Sequence, residues 1–112
     1  MNEMRKLNNH ASANAHVEII NVNDRYNNEI SLISYTTRVL TLTTVNGIRY
    51  VECTGLYSMT TRKHISWFLR EYAPDLNYAD IRDMKFNVAY CLETGEIMPE
   101  NALNKMLYNT VA

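Results

Sequence analysis

Arg38-Val39-Leu40-Thr41-Leu42-Thr43-Thr44-Val45-Asn46-Gly47-Ile48-Arg49-Tyr50-Val51-Glu52-Cys53-Thr54 is the stretch that decides the fold class. Two runs rich in β-branched residues flank Asn46-Gly47, the preferred pair for a two-residue type I′ turn, in which both central residues need positive φ. Such a loop fixes the strand register. It sets Val45 opposite Ile48, Thr43 opposite Tyr50 and Thr41 opposite Glu52 on one face. The other face receives Leu42 opposite Val51 and Leu40 opposite Cys53. A one-residue slip would mix apolar with polar partners on both faces, so the pattern selects this register alone. Leu40, Leu42, Val51 and Cys53 are the predicted core of the hairpin.

Upstream, Val17 to Val22 reads as a strand, Asn23-Asp24 and Asn27-Asn28 carry turn chemistry, and Ile30 to Tyr35 reads as another strand. Residues 1–16 are asparagine-rich with few apolar positions, and are read as a mobile arm with one helical turn near Met4 and Leu7. Downstream of Gly55 the period changes. Ser58 or Thr60 can cap a helix, and Ile65, Phe68, Leu69 and Tyr72 follow at i, i+3, i+4 and i+7 as one apolar stripe. Pro74 limits that helix, because the residue before a proline is pushed away from helical angles. Tyr78 to Met84 suggests a short second helix. Phe86, Val88, Tyr90 and Leu92 alternate with other residues as a half-buried strand before a turn at Glu93–Glu96. After Pro99, Ala102, Leu103, Met106 and Leu107 suggest a last short helix. The expected class is α+β: a small antiparallel sheet, one main amphipathic helix and one or two short C-terminal helices, with residues 17–112 as one domain.

Of 112 residues, 46% are hydrophobic and 21% charged, an ordinary globular mix. The three glycines (Gly47, Gly55, Gly95) are too scattered for a phosphate loop or dinucleotide fingerprint, so no cofactor is expected. The longest apolar run, Val88 to Leu92, falls far short of the ~20 residues of a membrane span. Met1 to Lys6 leads into asparagines, and no signal peptide is expected. Cys53 and Cys91 sit in strand-like segments and are read as buried structural thiols of an intracellular protein. His10, His16 and His64 have no ligand-like spacing to a Cys or carboxylate, so no metal is expected.

The net charge of −1 hides an uneven distribution. Residues 36–70 carry Arg38, Arg49, Arg62, Lys63 and Arg70 against Glu52, a local +4. Residues 71–100 carry seven acids against Arg82 and Lys85, a local −5. A chain this close to neutral is a poor general nucleic-acid binder, yet one basic face remains. Trp67, the single tryptophan, lies nearly opposite the Ile65–Tyr72 stripe, with Lys63 four residues earlier and Arg70 three later. Tryptophan beside cations suits a partner interface or base stacking; the alternative is cover by a second layer, with the lysine stem along the ring. His64, in the first turns of the helix, is read as fixing its start through Tyr57 or a backbone carbonyl rather than as a catalytic base. Eight tyrosines add rigid amphipathic contact area.

Ser34-Tyr35-Thr36-Thr37-Arg38-Val39, the hairpin and Tyr57-Ser58-Met59-Thr60-Thr61-Arg62-Lys63-His64-Ile65 together resemble a family of small uncharacterised phage proteins. That family's pattern is a Ser-Tyr-x-Thr strand, a hairpin and a Tyr-Ser-x-Thr-Thr-x-x-His-Ile helix start, matched over residues 34–72. The resemblance implies a phage or mobile-element origin and brings no catalytic residue. The resulting expectation is a non-enzymatic protein of the host cytoplasm that binds a host protein or ribonucleoprotein complex, such as an inhibitor of CRISPR defence. Arg62, Lys63, Trp67 and Arg70 are its expected contact residues. The alternatives are a nucleic-acid-binding accessory protein using the same four residues, and a minor virion structural or assembly protein.

Overall fold

A computed structural model gives the structure of the chain and describes residues 2–6, 14–21, 27–56 and 58–98. Among these residues, six strands form one sheet: β1 (Asn2–Lys6), β2 (Ala15–Asn21), β3 (Asn28–Ser34), β4 (Thr37–Val45), β5 (Ile48–Cys53) and β6 (Ala89–Cys91). Each strand pairs antiparallel with the next in sequence, so the sheet is a simple meander. Helices α1 (Met59–Tyr72) and α2 (Tyr78–Arg82) come between β5 and β6. The class is α+β, as the hydrophobic periods require.

The β4–β5 hairpin has the register that Asn46-Gly47 dictates, from Val45↔Ile48 to Leu40↔Cys53. Asn46 and Gly47 take φ of 51° and 82°, the positive values of a type I′ turn. The neighbouring β3–β4 hairpin is equally tight but unsignalled. Tyr35, assigned to a strand from its sequence, instead turns the chain with φ of 59°, and Ser34 pairs with Thr37 across the two-residue loop. Its N–H is taken by the Asn14 carbonyl at 2.6 Å, which gives this left-handed residue a fixed partner. Farther along, Leu32 pairs with Leu40 but Ile33 pairs with Arg38, leaving Val39 as the extra residue of a β-bulge. Val39 and Leu40 are consequently both buried, at 1% and 0% exposure.

Two readings are corrected by the strand pairing. Asn2–Lys6 is a strand hydrogen-bonded to β2 from Asn2↔Ile20 to Lys6↔His16, where the sequence suggested an arm with a helical turn near Met4. A polar segment can join a sheet edge because the ladder uses backbone groups, which composition does not reveal. The strand read over Phe86 to Leu92 shrinks to Ala89–Cys91, with Ala89 and Cys91 buried and Phe86 exposed. Asn87 has φ of 64° and donates its N–H to the Cys53 carbonyl at 2.7 Å, so the chain is still turning there. The second helix ends at Arg82 rather than Met84. The helix suggested after Pro99, the Asn23-Asp24 turn, Leu7 and Tyr57 lie outside the described residues.

One face of the sheet supplies Val17, Leu32, Leu40, Leu42, Val51 and Cys53 to the core, and α1 lays Ile65, Phe68 and Leu69 upon them. Ser58 is the N-cap: its Oγ accepts the Thr61 N–H at 3.2 Å. The Ala73 N–H closes the last turn on Leu69, immediately before Pro74. Asn77 and Asp80 form a reciprocal capping box on α2. Arg49 of β5 grips Asp75 between the helices with two hydrogen bonds of 2.9 and 2.6 Å, and this pairing holds the Asp75 carboxyl at about 2.

The opposite face of the sheet is mixed in chemistry. Glu18, Ser31, Thr41 and Glu52 stand in one cross-strand row, with Ser31 and Thr41 hydroxyls 3.1 Å apart. Arg38 pairs with Glu18 on this face, and burial pushes the carboxyl of Glu29 up. At one end, Val45, Tyr50 and Cys91 form a smaller apolar cluster with Met98 against it. Both cysteines are buried free thiols: burial raises Cys53, whereas a hydrogen bond with the Thr94 hydroxyl lowers Cys91.

Candidate partner-binding surface

The sequence Met-Thr-Thr-Arg-Lys-His-Ile-Ser-Trp-Phe-Leu-Arg-Glu-Tyr of α1 separates into two faces at the helical period. Thr61, His64, Ile65, Phe68 and Leu69 are buried. Arg62, Lys63 and Arg70 are exposed on the other side. Lys63, Ser66, Trp67 and Arg70 fall at i, i+3, i+4 and i+7, a continuous outer stripe, with Arg62 on its flank.

The cations of this stripe differ from Arg38, Arg49 and Arg82. Arg38 is paired with Glu18, Arg49 with Asp75 and Arg82 with Asp83. Arg62, Lys63 and Arg70 have no carboxylate partner among the described residues. Eight residues of helix separate Arg62 from Arg70, about 12 Å along the axis. Three unneutralised charges over two turns give α1 a positive outer face.

Trp67 sits less openly than these cations. It is half-buried and packed against the core, with its ring 5.4 Å from that of His64. Trp67 therefore shares the stripe with Lys63 and Arg70 by helical spacing while its packing belongs to the fold.

A groove of about 420 Å³ opens beside the stripe, between Ser66, Leu69 and Arg70 of α1 and Pro74, Leu76 and Ala79 beyond its end. Asn77 and Tyr78 complete a lining that mixes apolar and polar side chains, and Arg70 brings charge to its rim. Acids on the α2 side are already engaged: Asp75 with Arg49, Asp80 with the Asn77 N–H, and Asp83 with Arg82.

His64 has a partner that its sequence neighbourhood does not offer. Ser34, thirty residues earlier at the end of β3, places its Oγ 2.8 Å from His64 Nδ1 and 3.2 Å from the Thr61 hydroxyl. Ser58 Oγ extends this chain at 3.1 Å from Thr61 Oγ1. Ser34 and His64 are 2% and 1% exposed, beneath the rings of Tyr35 and Trp67. The network ties the start of α1 to the sheet, in the manner of buried polar groups that must be satisfied internally.

Burial lowers the pKa of His64 below 6.5. Below pH 6.5 the unfolded chain takes up a proton that the folded chain resists, so stability is full above that pH and lost as pH falls toward the folded value. The melting temperature is therefore expected to drop between pH 7.5 and about 5.5. His64→Gln should flatten that dependence in thermal melts; an unchanged slope would assign it to another group.

No curated protein and no solved structure matches the chain. A family model, described as a family of unknown function (DUF8033), matches residues 3–83. The chain belongs to the DUF8033 family. The DUF8033 match runs from β1 through α2 and takes in Arg62, Lys63, Trp67, Arg70, the groove and the Ser34–His64 network. β6 lies beyond it. Among the described residues, no three His, Cys, Asp or Glu side chains converge to hold a metal ion.

Proposed function

We propose that this DUF8033 protein is a non-enzymatic binding protein, of phage or mobile-element origin, that attaches to a host macromolecule through the outer face of α1. The proposed target is a host protein or ribonucleoprotein complex of a defence system such as CRISPR. The observation that carries the reading is that Arg62, Lys63 and Arg70 have no carboxylate partner among the described residues, on a fold where Arg38, Arg49 and Arg82 are each paired. Unneutralised cations around a half-buried tryptophan are the chemistry of an interface centre. The Ser34–His64 pair, the nearest approach to a nucleophile and base, is shielded from solvent and supports binding over turnover.

The test is affinity capture from host-cell lysate with the wild type and with the combined variant Arg62→Glu, Lys63→Glu, Arg70→Glu. A partner captured by the wild type should be lost at least about tenfold with the variant. The substitutions are on the surface, so melting should shift little, within about 0.5 kcal/mol for each. Equal capture by both proteins would refute the reading. Capture that disappears on nuclease treatment would transfer it to nucleic acid, where binding should weaken steeply with salt. Trp67→Ala is a poorer probe. A half-buried ring should cost about 2 kcal/mol of stability, between the surface and core limits.

A further inference from the structure

The groove beside α1 supplies what the cations alone lack, a place for an uncharged group. We propose that it receives an acidic, apolar segment of a protein partner, with an aliphatic side chain between Leu69, Pro74 and Leu76 and a neighbouring carboxylate on Arg70. This inference rests on α1 being the binding face.

Charge complementarity selects the occupant. Arg70 stands on the rim with no carboxylate partner among the described residues, and Lys63 and Arg62 continue the positive surface toward the start of the helix. The acids across the groove are held by Arg49, by Arg82 and by a backbone N–H. A cationic or purely apolar segment would leave the α1 charges unanswered. A nucleic-acid strand would meet them and could stack on Tyr78, but would leave the aliphatic walls at Leu69, Pro74 and Leu76 unused. A carboxylate close to a leucine-like side chain answers both halves of the site. Apolar anchors in a pocket with a charged rim are the usual division of labour at such interfaces.

The experiment titrates labelled probes into the full chain at low salt and follows anisotropy. The probes are a short peptide of alternating glutamate and leucine, polyglutamate of equal length, and oligothymidine. The glutamate–leucine peptide should bind more tightly than polyglutamate. Ala79→Phe, at an exposed position in the groove wall, should fill the site. It should weaken the glutamate–leucine peptide by about tenfold and leave polyglutamate unchanged. Arg70→Glu should weaken both peptides. Equal affinity of the two peptides on the wild type overturns the proposal without need of any variant. So does binding confined to oligothymidine, or no binding at all. If host-partner capture is lost with the triple charge variant but is indifferent to Ala79→Phe, the function stands and the groove falls. If the peptide behaves as expected while no host partner is captured, the groove stands and the function falls.

Discussion

Phe68→Ala is expected to lower the unfolding free energy by about 3–5 kcal/mol, the range for emptying a buried aromatic site. Phe68 is fully buried in α1, within the core that the helix forms with β2 to β5, and its ring lies 5.1 Å from that of Tyr72. Truncation leaves a cavity that a sheet cannot close, because its strands are held by ladder hydrogen bonds. Small domains have only about 5–15 kcal/mol in total, so the variant should lose a large fraction of its stability. Urea denaturation of wild type, Phe68→Leu and Phe68→Ala should show a graded fall in midpoint. A cost below about 1 kcal/mol for the alanine variant would mean that α1 does not seat on the sheet as described.

His64→Ala should produce the next largest loss, about 2–4 kcal/mol. It removes a buried ring and one partner of the Ser34 hydroxyl, which is left with Thr61. Ser34→Ala should cost less, since the atoms removed are few. The double variant should cost less than the two together, because the second change deletes a group the first has already deprived of one partner. Additive costs would show that Ser34 and His64 do not act as a pair. At a temperature where His64→Ala is still folded, capture of a partner by α1 should persist. Lost capture with unchanged melting would move His64 from the fold to the binding surface.

The readable parts of this fold are those whose signals are local. Asn46-Gly47 states its own turn, and the alternation on either side states the register, so the β4–β5 hairpin could be drawn to the residue. The stripe of Ile65, Phe68, Leu69 and Tyr72 stated α1, and its start was narrowed to Ser58 or Thr60, of which Ser58 is the cap. The β3–β4 turn was hidden because Tyr35 adopts positive φ without the glycine or asparagine that advertises it. The bulge at Val39 was hidden too: two consecutive buried residues look like an error of alternation until the pairing is seen. β1 could not be read from side chains, since its pairing is a matter of backbone. At the candidate surface, the exposed cations were visible from the helical period. That they would be unpaired was not, because it depends on where Glu18, Asp75 and Asp83 lie. Ser34 as the partner of His64, and the groove wall beyond Pro74, are products of tertiary proximity with no trace in local pattern.

The meander also orders events during synthesis. Because each strand pairs with its successor, β1 to β5 can assemble in the sequence in which they leave the ribosome, with short loops to close. The helix that covers their apolar face is encoded after all five, and its last residue is Tyr72. From the emergence of β2 to that of Tyr72, translation takes on the order of several seconds at bacterial or eukaryotic rates. During that interval the nascent sheet presents Val17, Leu32, Leu40, Leu42 and Val51 without their lid. The growing chain is then most open to chaperone capture and to pairing with a neighbour on the same polysome, and slower decoding between residues 54 and 72 would prolong the exposure.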